Sequence, residues 1–184
     1  MPENDIHVLA AFIGVVALVY TNGLPEFSFL IFFILGAMIA SFKKIGKIYG
    51  LSPDLDNFGI IKQLFGHRSI VFHSPLLPVI ILNLLGIDFL CNDPWGSDIY
   101  SALAYGFCFG WLMHVTADGI QSIWLWNIPF RNAKKTTRLI LGIICLMLTL
   151  ITLLSVFFIS SGYLKIPILQ ETLVFFRNFI LGLF

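Results

Sequence analysis

His114 and Asp118 stand four residues apart at the end of a charge-free apolar run that begins at Ile99. In a helix that spacing stacks two side chains one turn apart on a single face, the arrangement that two ligands of one metal ion need. A carboxylate inside lipid is costly unless neutralised, so Asp118 is expected to face a bundle interior, beside a cation or metal. A buried hydrogen-bonded pair tying helices together is the other reading. Asp54 and Asp56 bracket Leu55 directly after Pro53. Two carboxylates so close repel unless a cation sits between them, although an N-cap and turn pair would use the same residues. His67 and His73, six apart, share no helical face, but Gly66 and Pro75 allow a loop-to-helix transition between them. Arg68, beside His67, offers a planar fork of donors to a phosphate or an aspartate. His7 lies near the N-terminus, where a histidine facing lipid headgroups is as reasonable as a ligand. A mixture of imidazoles and carboxylates suits zinc, manganese or iron.

The elements that must position these residues are apolar and long. Of 184 residues 58% are hydrophobic and only 11% charged, against about 25% charged in an average soluble domain, which argues against a soluble globular protein. Runs free of Asp, Glu, Lys and Arg cover Ile6–Pro25, Ser69–Ile87, Ile99–Ala117 and Leu139–Leu164, enough to cross a bilayer core of about 30 Å as helices. The pattern predicts a first helix over Ile6–Tyr20, closed by Asn22-Gly23-Leu24-Pro25, and a second from Phe27 to Phe42 that continues to Tyr49. A loop with a short interfacial segment follows over Gly50–Gly66. A third helix over Ser69–Leu85 is expected to start late or kink at Pro75 and Pro78. A fourth over Ile99–Trp124 and a fifth over Leu139–Ile159 complete a transmembrane metal-site domain, residues 1–165, with its motifs in residues 6–126. The segment 166–184, with Glu171 and Arg177, forms a C-terminal helix that lies in the interface or crosses the membrane.

The expected fold is thus all-α, a polytopic integral membrane bundle of five or six helices. Charge sets its orientation, because Lys and Arg in short loops stay on the cytoplasmic side. Lys43, Lys44, Lys47, Lys62 and Arg68 flank the second and third helices, and Arg131, Lys134, Lys135 and Arg138 join the fourth and fifth, while Thr21–Glu26 and Asp88–Asp98 carry none. Both basic segments and the N-terminus are therefore placed in the cytoplasm, and the four histidines at helix ends on that side. No positive n-region precedes the first helix, so it is read as permanent rather than as a signal peptide. A net charge of +1 selects no nucleic acid. Cys91, Cys108 and Cys145 form an odd set without a CxxC pair, so no disulfide framework is expected.

Read in order, the motifs are His7, then Gly50-Leu51-Ser52-Pro53-Asp54-Leu55-Asp56, then His67-Arg68-Ser69-Ile70-Val71-Phe72-His73-Ser74, then Gly110-Trp111-Leu112-Met113-His114-Val115-Thr116-Ala117-Asp118. This order resembles the small bacterial inner-membrane proteins described as metal-dependent hydrolases, some of them as LexA-binding. That family shows an N-terminal His, G-x-x-P-D-hydrophobic-D, H-R-G-x-T-H-S and G-x-x-x-H-x-x-x-D. The chain departs from it in places. Its H-R histidines are one residue farther apart, Ser69 and Phe72 replace Gly and Thr, Asn57 stands where His is frequent, and Gly119-Ile120-Gln121 replaces a Thr-Pro turn.

The resemblance implies a multi-pass protein of the bacterial inner membrane with a metal site at the cytoplasmic lipid boundary. Its expected ligands are His7, Asp54, Asp56, His67, His73, His114 and Asp118, holding one or two divalent ions, zinc first and manganese or iron next. Such ions acidify a bound water at neutral pH. Asp56 or Asp118 is expected to take a proton and Arg68 to stabilise developing anionic charge. The expected substrate is an ester or phosphoester of a membrane lipid or lipid-linked molecule, with its acyl chains left in the bilayer. The alternative is a non-catalytic, metal-stapled scaffold, regulatory or binding protein. A transporter would distribute its polar residues across the membrane, whereas these cluster at one face.

Overall fold

The computed structural model describes residues 3–42, 44–45, 48–49, 51–53, 55, 59–65, 69, 71–85, 95–121 and 134–158. The described residues form six helices and one two-residue ladder: α1 (Glu3–Asn22), α2 (Phe27–Ser41), β1 (Lys44–Ile45), β2 (Ile48–Tyr49), α3 (Gly59–Phe65), α4 (Leu76–Leu84), α5 (Ile99–Gln121) and α6 (Lys135–Phe158). The architecture is helical, and α6 over Lys135–Leu154 is long and apolar enough to cross a membrane. Shorter apolar stretches occupy Ile6–Asn22 and Phe27–Ser41.

Local chemistry sets most of the boundaries. Helix α1 ends where the Gly23 N–H bonds the Val19 carbonyl at 2.9 Å, with Gly23 at φ +84°, a left-handed cap that glycine adopts without a β-carbon penalty. Helix α2 stops at Ser41 rather than continuing to Tyr49. Phe42 turns extended (φ −77°, ψ 119°) while its N–H still bonds the Met38 carbonyl. Lys44 then pairs with Tyr49 and Ile45 with Ile48 in an antiparallel register. β-Branched Ile45 and Ile48 favour extended pairing over a helix end. The third helix begins late, at Leu76, after Pro75, whose missing N–H costs nothing in a first turn. The fifth predicted helix, α6, begins at Lys135, four residues before Leu139. The segment 166–184 lies outside the described residues.

Asp98 starts α5. Its Oδ1 accepts the Ser101 N–H at 2.8 Å and its own N–H donates to Ser101 Oγ at 3.0 Å, a reciprocal cap. The Ser101 N–H bond holds the exposed Asp98 carboxyl below the usual carboxylate range. The unfolded value is about 3.9, so the carboxylate's contribution is complete above about pH 5 and is lost as pH falls through the lowered folded value. Thermal melts of the detergent-solubilised chain should show the wild type above Asp98→Ala near neutrality, with the gap closing in acid. A gap that ignores pH would remove the charge from the explanation.

Helix α5 is the central element, touching α1, α2, α4 and α6. Its seam with α2 is backbone to backbone. A β-carbon on Gly106 would collide with the Phe33 carbonyl, one on Gly110 with the Ala37 carbonyl, and one on Gly36 with the Leu103 carbonyl. Around the seam, Phe33 sits edge-on to Trp95 at 5.1 Å and tilts against Phe109 at 5.5 Å. Val15, Leu18, Leu82 and Leu153 from the neighbouring helices, with Leu112 of α5, complete that core.

Candidate metal centre

The residues Gly106, Gly110, His114 and Asp118 recur every four positions along α5, a row that winds about 40° around the helix per step, so the polar pair follows the α2 seam by one turn. The pair is formed, with His114 Nε2 at 3.6 Å from Asp118 Oδ2. Helix α1 brings His7 to the same carboxylate, Nε2 at 3.6 Å from Oδ1, and stacks its ring on that of His114 with centroids 3.8 Å apart and planes 2° from parallel. The alternative of an outward-facing His7 is thereby replaced, since this side chain is 3% exposed.

His73 arrives from the turn ahead of α4. The turn is closed by Phe72 and His73 N–H groups bonding the Ser69 carbonyl at 3.1 and 2.9 Å and by Val71 N–H donating to Ser69 Oγ at 3.3 Å. Trp111, three residues before His114, donates its indole N–H to the Phe72 carbonyl at 2.8 Å, fastening the turn to α5. His73 Nε2 then lies 3.2 Å from Asp118 Oδ2. His73 and His114 are fully buried and Asp118 is 8% exposed.

Three imidazoles thus converge on one carboxylate, and the spacing suits a metal. Donors placed tetrahedrally about 2.1 Å from an ion lie about 3.4 Å from one another, and the three N···O separations bracket that value. His7, His114 and Asp118 each offer a donor atom within 4.8 Å of the other two. Together these three could hold a metal ion.

Of the other residues singled out in the sequence, Asp54, Asp56, Asn57, His67 and Arg68 lie outside the described residues. Ser69, Trp111 and the glycine seam carry the site although the motif reading gave them no positioning role. The Gly106-x-x-x-Gly110 spacing was the available signal for the seam, because small residues four apart let helix backbones touch.

Fold and site together define a helical protein with, among the described residues, one helix long and apolar enough to cross a membrane and a buried His7–His114–Asp118 group able to hold a metal ion. Compared with protein-family models, curated proteins and solved structures, the chain matches none.

Proposed function

We propose that the chain is a multi-pass membrane protein that hydrolyses an ester or phosphoester of a lipid or lipid-linked substrate at the cytoplasmic leaflet, using a divalent metal held by His7, His114 and Asp118. The observation that carries this reading is the convergence of three buried histidines on Asp118 inside an apolar bundle, because ionisable groups in such a setting are retained for function. Multi-pass insertion is supported by outward apolar faces on three helices: Leu9, Phe12, Ile13 and Val16 on α1, Ile31, Leu35 and Ile39 on α2, and Ile143, Met147, Ile151 and Leu154 on α6. In water such contiguous surfaces would drive association. The basic segments around Lys43–Arg68 and Arg131–Arg138 favour the cytoplasmic side for the His7 end.

Two histidines and one carboxylate leave a fourth position open, as catalytic sites do. A divalent ion in such a site supplies an acidified water and charge stabilisation at neutral pH. His73 then orients Asp118 from its second oxygen, as outer partners of ligands do. Arg68 and Asp56, which the motif order places just ahead of this turn and after α2, are the proposed anion stabiliser and proton acceptor. A second reading has its own support. His73 is as near to Asp118 as the other two histidines, and four protein donors would close a tetrahedral site that staples α1, α5 and the turn without catalysis.

Elemental mass spectrometry of the full chain purified in detergent tests the proposal, with release of fatty acid and phosphate from phosphatidic acid micelles as the activity readout. About one equivalent of zinc, manganese or iron, with metal and turnover both lost in a folded His114→Ala variant, is the expected result. A wild type that stays metal-free after incubation with these ions overturns the proposal. Bound metal without turnover, and a melting temperature that falls on chelation, replaces it with the staple.

A further inference from the structure

The imidazoles of His7 and His114 are stacked, with centroids 3.8 Å apart and planes 2° from parallel. Each pairs with a different oxygen of one carboxylate. His7 Nε2 lies 3.6 Å from Asp118 Oδ1 and His114 Nε2 lies 3.6 Å from Oδ2. His73 Nε2 meets the same oxygen as His114, at 3.2 Å.

The stack limits how these residues can hold a metal. A histidine nitrogen binds an ion through a lone pair that lies in the ring plane, at about 2.0–2.1 Å. Two stacked, parallel rings share no point that satisfies both. An ion 2.1 Å from both nitrogens would sit between the planes, about 60° out of each, and an ion in the plane of one ring is out of bonding range of the other nitrogen. Two ions, one in each plane, meet no such conflict. Their spacing would then be close to that of the rings, which falls within the roughly 3.5–4 Å of two-metal sites. A carboxylate with one oxygen beside each histidine can ligate both ions and offset the repulsion between them. Each nitrogen–oxygen pair, at 3.6 Å, is also near the spacing of about 3.4 Å between tetrahedral donors on a single ion.

We propose that the cluster is a two-ion centre bridged by Asp118, with one divalent ion held by His7 and Oδ1 and the other by His114 and Oδ2, the oxygen that His73 orients. The proposal rests on the metal hydrolase reading and deepens it. Paired ions supply a clamp for the attacking and leaving oxygens of an in-line displacement, which favours the phosphoester over the carboxylic ester as the substrate class. Among the described residues His7 brings the sparser donor set. The second equivalent is therefore expected on metal addition, beyond the one that survives purification.

Manganese provides the probe, because its unpaired electrons report a second ion nearby. The full chain in detergent, stripped with a chelator and shown to elute and melt as a folded species, is titrated with Mn²⁺ and followed by electron paramagnetic resonance. Binding is expected to saturate at about two equivalents, the isolated-ion spectrum at the first giving way to that of a magnetically coupled pair at the second. Folded His7→Ala is expected to bind one equivalent and to keep the isolated-ion spectrum throughout. Saturation of the wild type at one equivalent overturns the proposal and leaves a single ion, with one ring turned out of the stack. Two equivalents without coupling overturn it as well, since the second ion then lies elsewhere, and so does a coupled pair in His7→Ala. Should that variant fail to fold, X-ray absorption of the zinc-loaded wild type decides: a zinc–zinc distance of about 3.5–4 Å is expected, and its absence removes the pair. A coupled pair without phosphate release from phosphatidic acid would keep the two-ion centre and remove the hydrolase, whereas turnover with a single bound ion would do the reverse.

Discussion

Asp118→Asn is expected to lower zinc affinity at least about 100-fold, more than the 10–100-fold typical of losing an outer partner. Each described histidine in the cluster contacts this one carboxylate: His7 at Oδ1, and His73 and His114 at Oδ2. Asparagine keeps the size of the side chain and hence the packing of α5, but removes the negative charge. A hundredfold is about 2.8 kcal/mol, less than the roughly 4 kcal/mol between unit charges 4 Å apart at an effective dielectric of 20, so it is a lower bound for a divalent ion. His73→Ala separates the two readings of the centre. If His73 only orients Asp118, its removal costs 10–100-fold in affinity while His114→Ala costs more. Competition titration against a chelating dye, on folded detergent-solubilised variants, measures both. Wild-type affinity in Asp118→Asn would remove the metal centre altogether, and equal losses in His73→Ala and His114→Ala would make His73 a ligand of a closed, structural site.

What the sequence made legible was what a single element determines. The four-residue step from His114 to Asp118 lies on one helix, so its face could be read directly, and the 3.6 Å contact follows from helical geometry. His7 and His73 belong to other elements. Their approach to Asp118 depends on how α1 and the Ser69 turn dock against α5, which no spacing encodes. A position near the terminus likewise says nothing of burial, so the sequence alone leaves His7 between ligand and headgroup. The end of α2 is not legible because Lys43 to Tyr49 reads as a helix extension by composition, whereas the pairing of Lys44 with Tyr49 and Ile45 with Ile48 depends on two short segments meeting, and a run this short fits both periods. The glycine seam was visible as Gly106-x-x-x-Gly110, but only a partner helix shows which of the many small residues in an apolar chain bring backbones together.

That seam supports the second large effect: Gly106→Ala is expected to destabilise the bundle by about 1–3 kcal/mol or more, although alanine is the better helix former by about 0.5–1 kcal/mol. The added carbon would meet the Phe33 carbonyl and lie 2.7 Å from the Phe33 Cα. These are backbone atoms, so only a shift of one helix relieves the clash. Gly14 provides the contrast on α1. There the same carbon would meet Met113 Sδ and Phe109 Cε1, each at 2.9 Å, and a thioether can change rotamer to make way. Gly14→Ala is therefore expected to cost less than Gly106→Ala, although the buried Phe109 ring must also give. Because α5 carries the Gly106–Gly110 seam directly into His114 and Asp118 one and two turns further on, a shift of the helix at Gly106 also displaces the two site residues. Thermal melts and zinc titrations of the two variants should show Gly106→Ala losing both stability and metal affinity, and Gly14→Ala losing less stability and no metal affinity. A Gly106→Ala protein that melts and binds zinc like the wild type would mean that α2 and α5 are not in backbone contact, and that the site does not depend on their seam.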